Sequence, residues 1–121
     1  MSVELLDSQG AINEELLGKD AIETAGKLEN VVSSNNLRKF YDQFLKIYDS
    51  RAKLNEKRVM LLMMKAHIHY SAKRLKYFDF DNFIKERIDN VLLAKTDDDF
   101  KKRLKAFKLN FEAVVGYFKG K

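Results

Sequence analysis

Cysteine and proline are both missing from this sequence, and each absence excludes a class of structure. Without cysteine there is neither a disulfide framework nor a thiolate metal site, which suits a reducing compartment. Without proline, and with glycine only at positions 10, 18, 26, 116 and 120, the chain has few breakers. None of them falls between Lys27 and Val115. A segment that long, rich in Leu, Lys, Phe and Asp, is hard to build as a sheet and easy to build as helices. The predicted class is all-α, a compact bundle of about five helices with two long central helices.

Long apolar runs are missing too. The longest strongly apolar stretch, Val59 to Met64, is far too short to span a bilayer, and the start MSVELLD has no basic, apolar leader pattern. A soluble, cytoplasmic protein with no membrane partner is expected. At 121 residues the chain holds one core. Residues 1–18 show weak periodicity and read as a weakly ordered acidic arm, with 19–121 as a single helical domain.

The residues of chemistry are equally sparse. The only histidines, His67 and His69, sit about 200° apart on a helix and cannot chelate one metal together. Phosphate-cradling glycine loops, a nucleophile elbow and a dinucleotide fingerprint are absent. Asp97 to Asp99 offer carboxylates, but the first turn of a helix explains them. Neither a metal nor another cofactor is expected, and the chain reads as a non-enzyme.

Charge is what the sequence does have. Residues 1–30 carry seven acids and two bases, net −5, whereas residues 31–121 carry 21 bases and 11 acids, net +10. A basic body implies an anionic partner or steering toward one. The acidic arm has two options, a neighbour's basic surface or its own body.

Along the chain, Asp20 to Val32 is a modest amphipathic helix weakened by Gly26. Ser33 to Asn36 supplies capping residues for a second helix over 35–54, with Leu37, Phe40, Tyr41, Phe44, Tyr48 and Ala52 as its core stripe. Lys39, Asp42, Lys46, Asp49 and Lys53 alternate in sign on the other side, as in an ion-paired solvated face. Arg38 lies off that stripe. The third helix runs from 57 to 76, and its apolar residues on most sides predict that it lies mostly buried. Asp79 and Asp81 suggest caps for a fourth helix over 81–94, with Phe78, Phe80 and Phe83 read as core. Thr96 and Asp99 form a capping-box pattern for a fifth, which buries Phe100, Leu104, Phe107, Phe111, Val114, Val115 and Phe118. Lys101, Lys102, Arg103, Lys105 and Lys108 make a possible second basic patch on that helix.

The third helix carries the candidate site. Lys57, Arg58, Lys65, Lys73, Arg74 and Lys76 stand on it with no acid among them. Arg58, Lys65, His69, Lys73 and Lys76 follow at steps of seven, four, four and three, so they share roughly one face. Snorkelling from a buried helix would explain such chains. The missing acid argues instead for an uncompensated basic strip that meets a polyanion.

Two segments resemble a known family. Ser33-Ser34-Asn35-Asn36-Leu37-Arg38-Lys39-Phe40-Tyr41 resembles the opening of the main helix in the small subunit of type III-A CRISPR (Csm) effector complexes. Leu61 through Arg74, with Met64-Lys65-Ala66 and Tyr70-Ser71-Ala72-Lys73-Arg74, resembles that family's second hallmark. His67 stands where a second lysine is expected, and no proline opens the third helix. The resemblance covers roughly residues 20–118. It implies a non-catalytic, RNA-binding subunit in antiviral defence. Its partners would be CRISPR RNA and target RNA, held through the backbone, other Csm-complex subunits, and copies of itself stacked in a filament or dimer. The implied RNA contacts are Lys65, Lys73 and Arg74, with Arg58, Lys76 and Arg38 behind them.

Two other classes compete. One is a helical homo-oligomeric scaffold or interaction protein without RNA binding, its basic strip meeting an acidic patch. The other, a helix-turn-helix DNA binder, wants a tight turn often marked by glycine, which residues 27–115 do not offer.

Overall fold

The computed structural model describes residues 4–119. Leu6 and Ile12 form an isolated antiparallel bridge, and Glu14–Leu17 is a short 3₁₀ turn. Five α-helices follow: α1 (Lys19–Leu28), α2 (Ser34–Asp49), α3 (Leu54–Leu75), α4 (Phe78–Leu92) and α5 (Asp97–Tyr117). The fold is all-α, as the shortage of breakers predicts.

Local chemistry sets the helix ends. Ser33 Oγ accepts from Asn36 N–H at 3.1 Å, and Thr96 Oγ1 from Asp99 N–H at 3.1 Å, so both predicted N-caps form. The second helix stops five residues short of its predicted end. There Ser50 donates both its N–H and its hydroxyl to the Ile47 carbonyl, at 3.3 and 2.9 Å, and takes the chain out of helix. Neither Asp79 nor Asp81 caps α4, which starts three residues earlier than predicted behind Tyr77. At the α3–α4 junction Lys76 adopts the left-handed conformation, φ 59°, a place where glycine is the usual residue.

Helices α2 to α5 form a ring of antiparallel neighbours, with α1 laid across α5 and α4. The side-chain pairs show the directions: Arg58 reaches Leu92 and His69 reaches Asp81, while Phe83 meets Phe111 and Tyr41 meets Glu112. The centre is aromatic. Phe44 and Phe107 lie 4.5 Å apart, and Phe83 meets Phe111 edge-on at 5.6 Å. Phe80 and Phe83 are buried as expected. Phe78 is exposed instead, because a step of two along a helix turns it away from Phe80.

The acidic N-terminal region folds back on its own body. The predicted weakly ordered arm falls partly on residues 1–3, which lie outside the described residues. Within residues 4–18, Leu5 and Leu16 sit fully buried in the core. Arg87 of α4 is buried, and donates from Nη2 to Asp20 Oδ2 and from Nε to Asn110 Oδ1, both at 2.8 Å. Asn110 Nδ2 in turn donates to the Leu16 carbonyl at 2.7 Å. Asn90 links Glu4 to Arg103, so a second polar chain ties the N-terminal residues to α4 and α5. Each buried polar group here has a partner, the condition under which such groups stabilise a fold.

Candidate nucleic-acid interface

The third helix is not mostly buried. Leu61, Met64, Ile68 and Ala72 face the core, but Val59, Leu62, Met63, Ala66 and Tyr70 are exposed on the opposite side. A helix apolar on most sides is buried only where neighbours surround it. Here α2 and α4 flank one face and leave the other open.

Nor is its basic strip uncompensated along its length. Acids on α4 answer the cations nearest to it: Lys65 Nζ pairs with Asp89, and His69 Nδ1 shares a 2.9 Å hydrogen bond with buried Asp81. Lys85 lies 3.2 Å from the same Asp81 oxygen. Arg58 donates to the Leu92 carbonyl at 3.2 Å, and its guanidinium lies 5.9 Å from the Phe100 ring centre. These three basic residues join α3 to α4 and α5. The sequence hid the pairing because its acids come from a different helix.

Toward the end of α3 the picture changes. Lys73, Arg74 and Lys76 are exposed, and none forms an ion pair within 4.0 Å of a described carboxylate. Placed in and just past the last turn, they also complement the negative end of the helix dipole. Arg38 is exposed near the start of α2 and likewise forms no ion pair with a described residue. Phe40 meets the edge of Tyr77 at 6.1 Å, which brings the start of α2 to the end of α3. Arg38 therefore stands at the same end of the bundle as Lys73 to Lys76, though about 200° around α2 from Phe40.

The alternating charges predicted for the second helix, the last of which, Lys53, falls beyond α2 at the N-cap of α3, do not form the expected ion-paired face. Lys39, Asp42, Lys46, Asp49 and Lys53 are exposed, and none pairs within 4.0 Å with a described residue. Long solvated chains lose more rotamer entropy on pairing than such contacts return.

A second basic surface gathers around Tyr48. Lys57 and Lys108 hold their ammonium groups 6.0 and 5.9 Å from its ring centre, and Lys101 and Lys105 line the same shallow hollow. Arg103 is spent inside the fold, donating to Asp99 and Asn90. Lys108 pairs with Glu112 at 3.1 Å, and that hydrogen bond raises its pKa above the usual 10.5. Tyr41 donates to the same carboxylate at 3.3 Å; burial, then Glu112, raises its phenol above 10.0. The spacing of lysines on the fifth helix signalled this patch, but Lys57 and Tyr48 join it only through packing.

Among the described residues, no three His, Cys, Asp or Glu side chains converge on a metal-sized site. No helix among them is long and apolar enough to cross a membrane. What the surface offers is a group of exposed cations at the end of α3, Lys73, Arg74 and Lys76, beside Arg38.

A model of the family described as Csm2 Type III-A matches residues 11–121. No curated protein and no solved structure matches the chain significantly.

Proposed function

Because the chain belongs to the Csm2 type III-A family, a family of structural subunits of type III-A CRISPR effector complexes, we propose that it clamps RNA there without catalysis. The clamp acts in the cytoplasm, in antiviral defence, and holds the duplex of CRISPR RNA and target RNA by its backbone. Its other partners are further subunits of the complex and copies of itself stacked alongside.

The observation that carries this proposal is the exposed group Lys73, Arg74 and Lys76, three cations with no internal ion-pair partner among the described residues. They are the primary contacts, with Arg38 at the same end of the bundle. Lys65 and Arg58 rank behind them, since each would have to give up an internal partner. Arginine offers a forked donor to phosphate oxygens, and lysine a mobile point charge.

Capture of the tagged chain from its native host at moderate salt tests the proposal. Short RNAs sharing one repeat-derived end, recovered with several larger proteins, are expected. Recovery of the chain alone, or with assorted cellular RNA, would overturn it.

A further inference from the structure

Of the nine phenylalanines, eight are buried or half-buried in the bundle, and Phe78 alone stands in water, 52% exposed. Tyr70 and Tyr117 are exposed too, but each carries a hydroxyl that water can bond. Phe78 opens α4, two residues past Lys76, and Leu75 on the other side of the corner is 55% exposed. The corner itself is fixed. Between these two, Tyr77 is only 1% exposed, set edge-on against Phe40 at 6.1 Å and Phe80 at 5.6 Å. An aromatic face held out beside such an anchor is already ordered, so little conformational freedom is lost when a ligand covers it.

The neighbours of Phe78 say what covers it. Phe78, Lys85 and Asp89 follow at steps of seven and four, so they share a face of α4. Asp89 pairs with Lys65 of α3, and Lys85 joins His69 on Asp81. Phe78 therefore continues, at the corner, the line along which α4 meets the basic face of α3. Arg74 and Lys76 stand at that corner without an ion-pair partner among the described residues. Two residues of chain reach at most about 7 Å, which keeps Phe78 beside the Lys76 cation. A ring beside cations is how single strands are held, the cations tracking the backbone and the ring taking a base. An apolar protein surface laid on Phe78 would have to strip water from the same cations, which is costly. Asp79, exposed beside the ring, keeps phosphate on the α3 side of the corner.

We propose that Phe78 is a stacking platform for one unpaired base of the bound RNA. The stack rests on the clamp reading, since only RNA held at this corner brings a base to the ring. It adds what the clamp lacks, a contact to a base made through apolar surface. Every base has a flat face, so the stack fastens the strand at one nucleotide without reading which it is. Because the ring carries no charge, its contribution does not fall with salt as that of a phosphate contact does.

Retention of RNA by the assembled effector complex, measured across a salt titration, tests the stack, with circular dichroism to establish that each variant is folded. Phe78→Ala is expected to weaken retention about 5- to 150-fold and to leave the log–log salt slope unchanged. Phe78→Trp, with a larger ring, should hold RNA at least as tightly as the wild type. Phe78→Leu, apolar but without a ring, should stay close to Phe78→Ala, and gel filtration should show every subunit still present in each variant complex. A Phe78→Ala complex that retains RNA like the wild type, while K73E/R74E/K76E still flattens the salt slope, would overturn the stack and leave the clamp standing. If that triple reversal leaves the slope unchanged as well, the clamp fails and the stack fails with it. Full rescue by leucine, or loss of subunits from the Phe78→Ala complex, would make Phe78 a contact with protein and overturn the proposal too.

Discussion

Arg87 on α4 and Asp20 on α1, 67 residues apart in sequence, are joined by a 2.8 Å charge-assisted hydrogen bond beneath the surface. The arginine is only 3% exposed, so its charge depends on that carboxylate. Glu86, at 3.5 Å and half in water, is the weaker alternative. Asp20→Ala is therefore expected to cost about 3 kcal/mol, because breaking a buried pair strands the remaining charge. Adding Arg87→Met should return part of that loss. Urea denaturation midpoints of the single and double variants check both statements.

Two residues occupy backbone positions suited to each other. Gly26 sits inside α1 with open space where a Cβ would go, and Lys76 holds a left-handed φ of 59°. Gly26→Ala should stabilise the fold by about 0.5–1 kcal/mol through helix propensity. Lys76→Gly should gain about 1 kcal/mol by relieving the left-handed penalty. Thermal melts read both. The second variant separates roles, since it removes a proposed RNA contact while raising stability.

The cations of α3 divide into those that hold the fold and those that do not. Arg58→Ala removes a hydrogen bond to the Leu92 carbonyl and a contact with Phe100, and should cost about 1–2 kcal/mol. Lys65→Ala breaks a partly exposed pair with Asp89 and should cost less than about 1 kcal/mol. Arg74→Ala should lie within about 0.5 kcal/mol of the wild type. Denaturant titration should return that order.

High pH should destabilise the protein from one place. Burial and Glu112 raise the Tyr41 pKa above 10.0, and the hydrogen bond to Glu112 raises that of Lys108 above 10.5. Both groups hold their protons more tightly folded than unfolded. The stability they contribute is fully present below about pH 10 and is lost as pH rises through the folded values. Glu112→Gln removes the carboxylate that acts on both, so its alkaline loss should be shallower. Tyrosinate absorbance and denaturation midpoints across that range provide the check.

Much of the bundle was legible because helix signals are local. The shortage of breakers, the Ser33 and Thr96 caps and the periodic Phe100, Leu104, Phe107 and Phe111 all act within a few residues. The family resemblance was legible for the same reason, carried by contiguous motifs that the Csm2 type III-A match then covered. What escaped lies in contacts between elements. Asp89 and Asp81 reach Lys65 and His69 only after α4 folds against α3. Likewise the apolar pattern of α3 predicts burial on sides that stand in water, because periodicity reports which residues are apolar and not how many neighbours a helix has. Ser50 ended α2 early through a hydrogen bond that composition alone does not announce.

The most direct test of the RNA clamp is a salt titration of RNA retention by the assembled effector complex, wild type against the K73E/R74E/K76E variant. Each lost phosphate contact should flatten the log–log salt slope by about 0.7–0.9, equally for guide and target sequences of unrelated composition. The triple reversal should therefore lower the slope by about two to three and weaken retention of every RNA alike. An unchanged slope, or a loss confined to one sequence, would contradict the account.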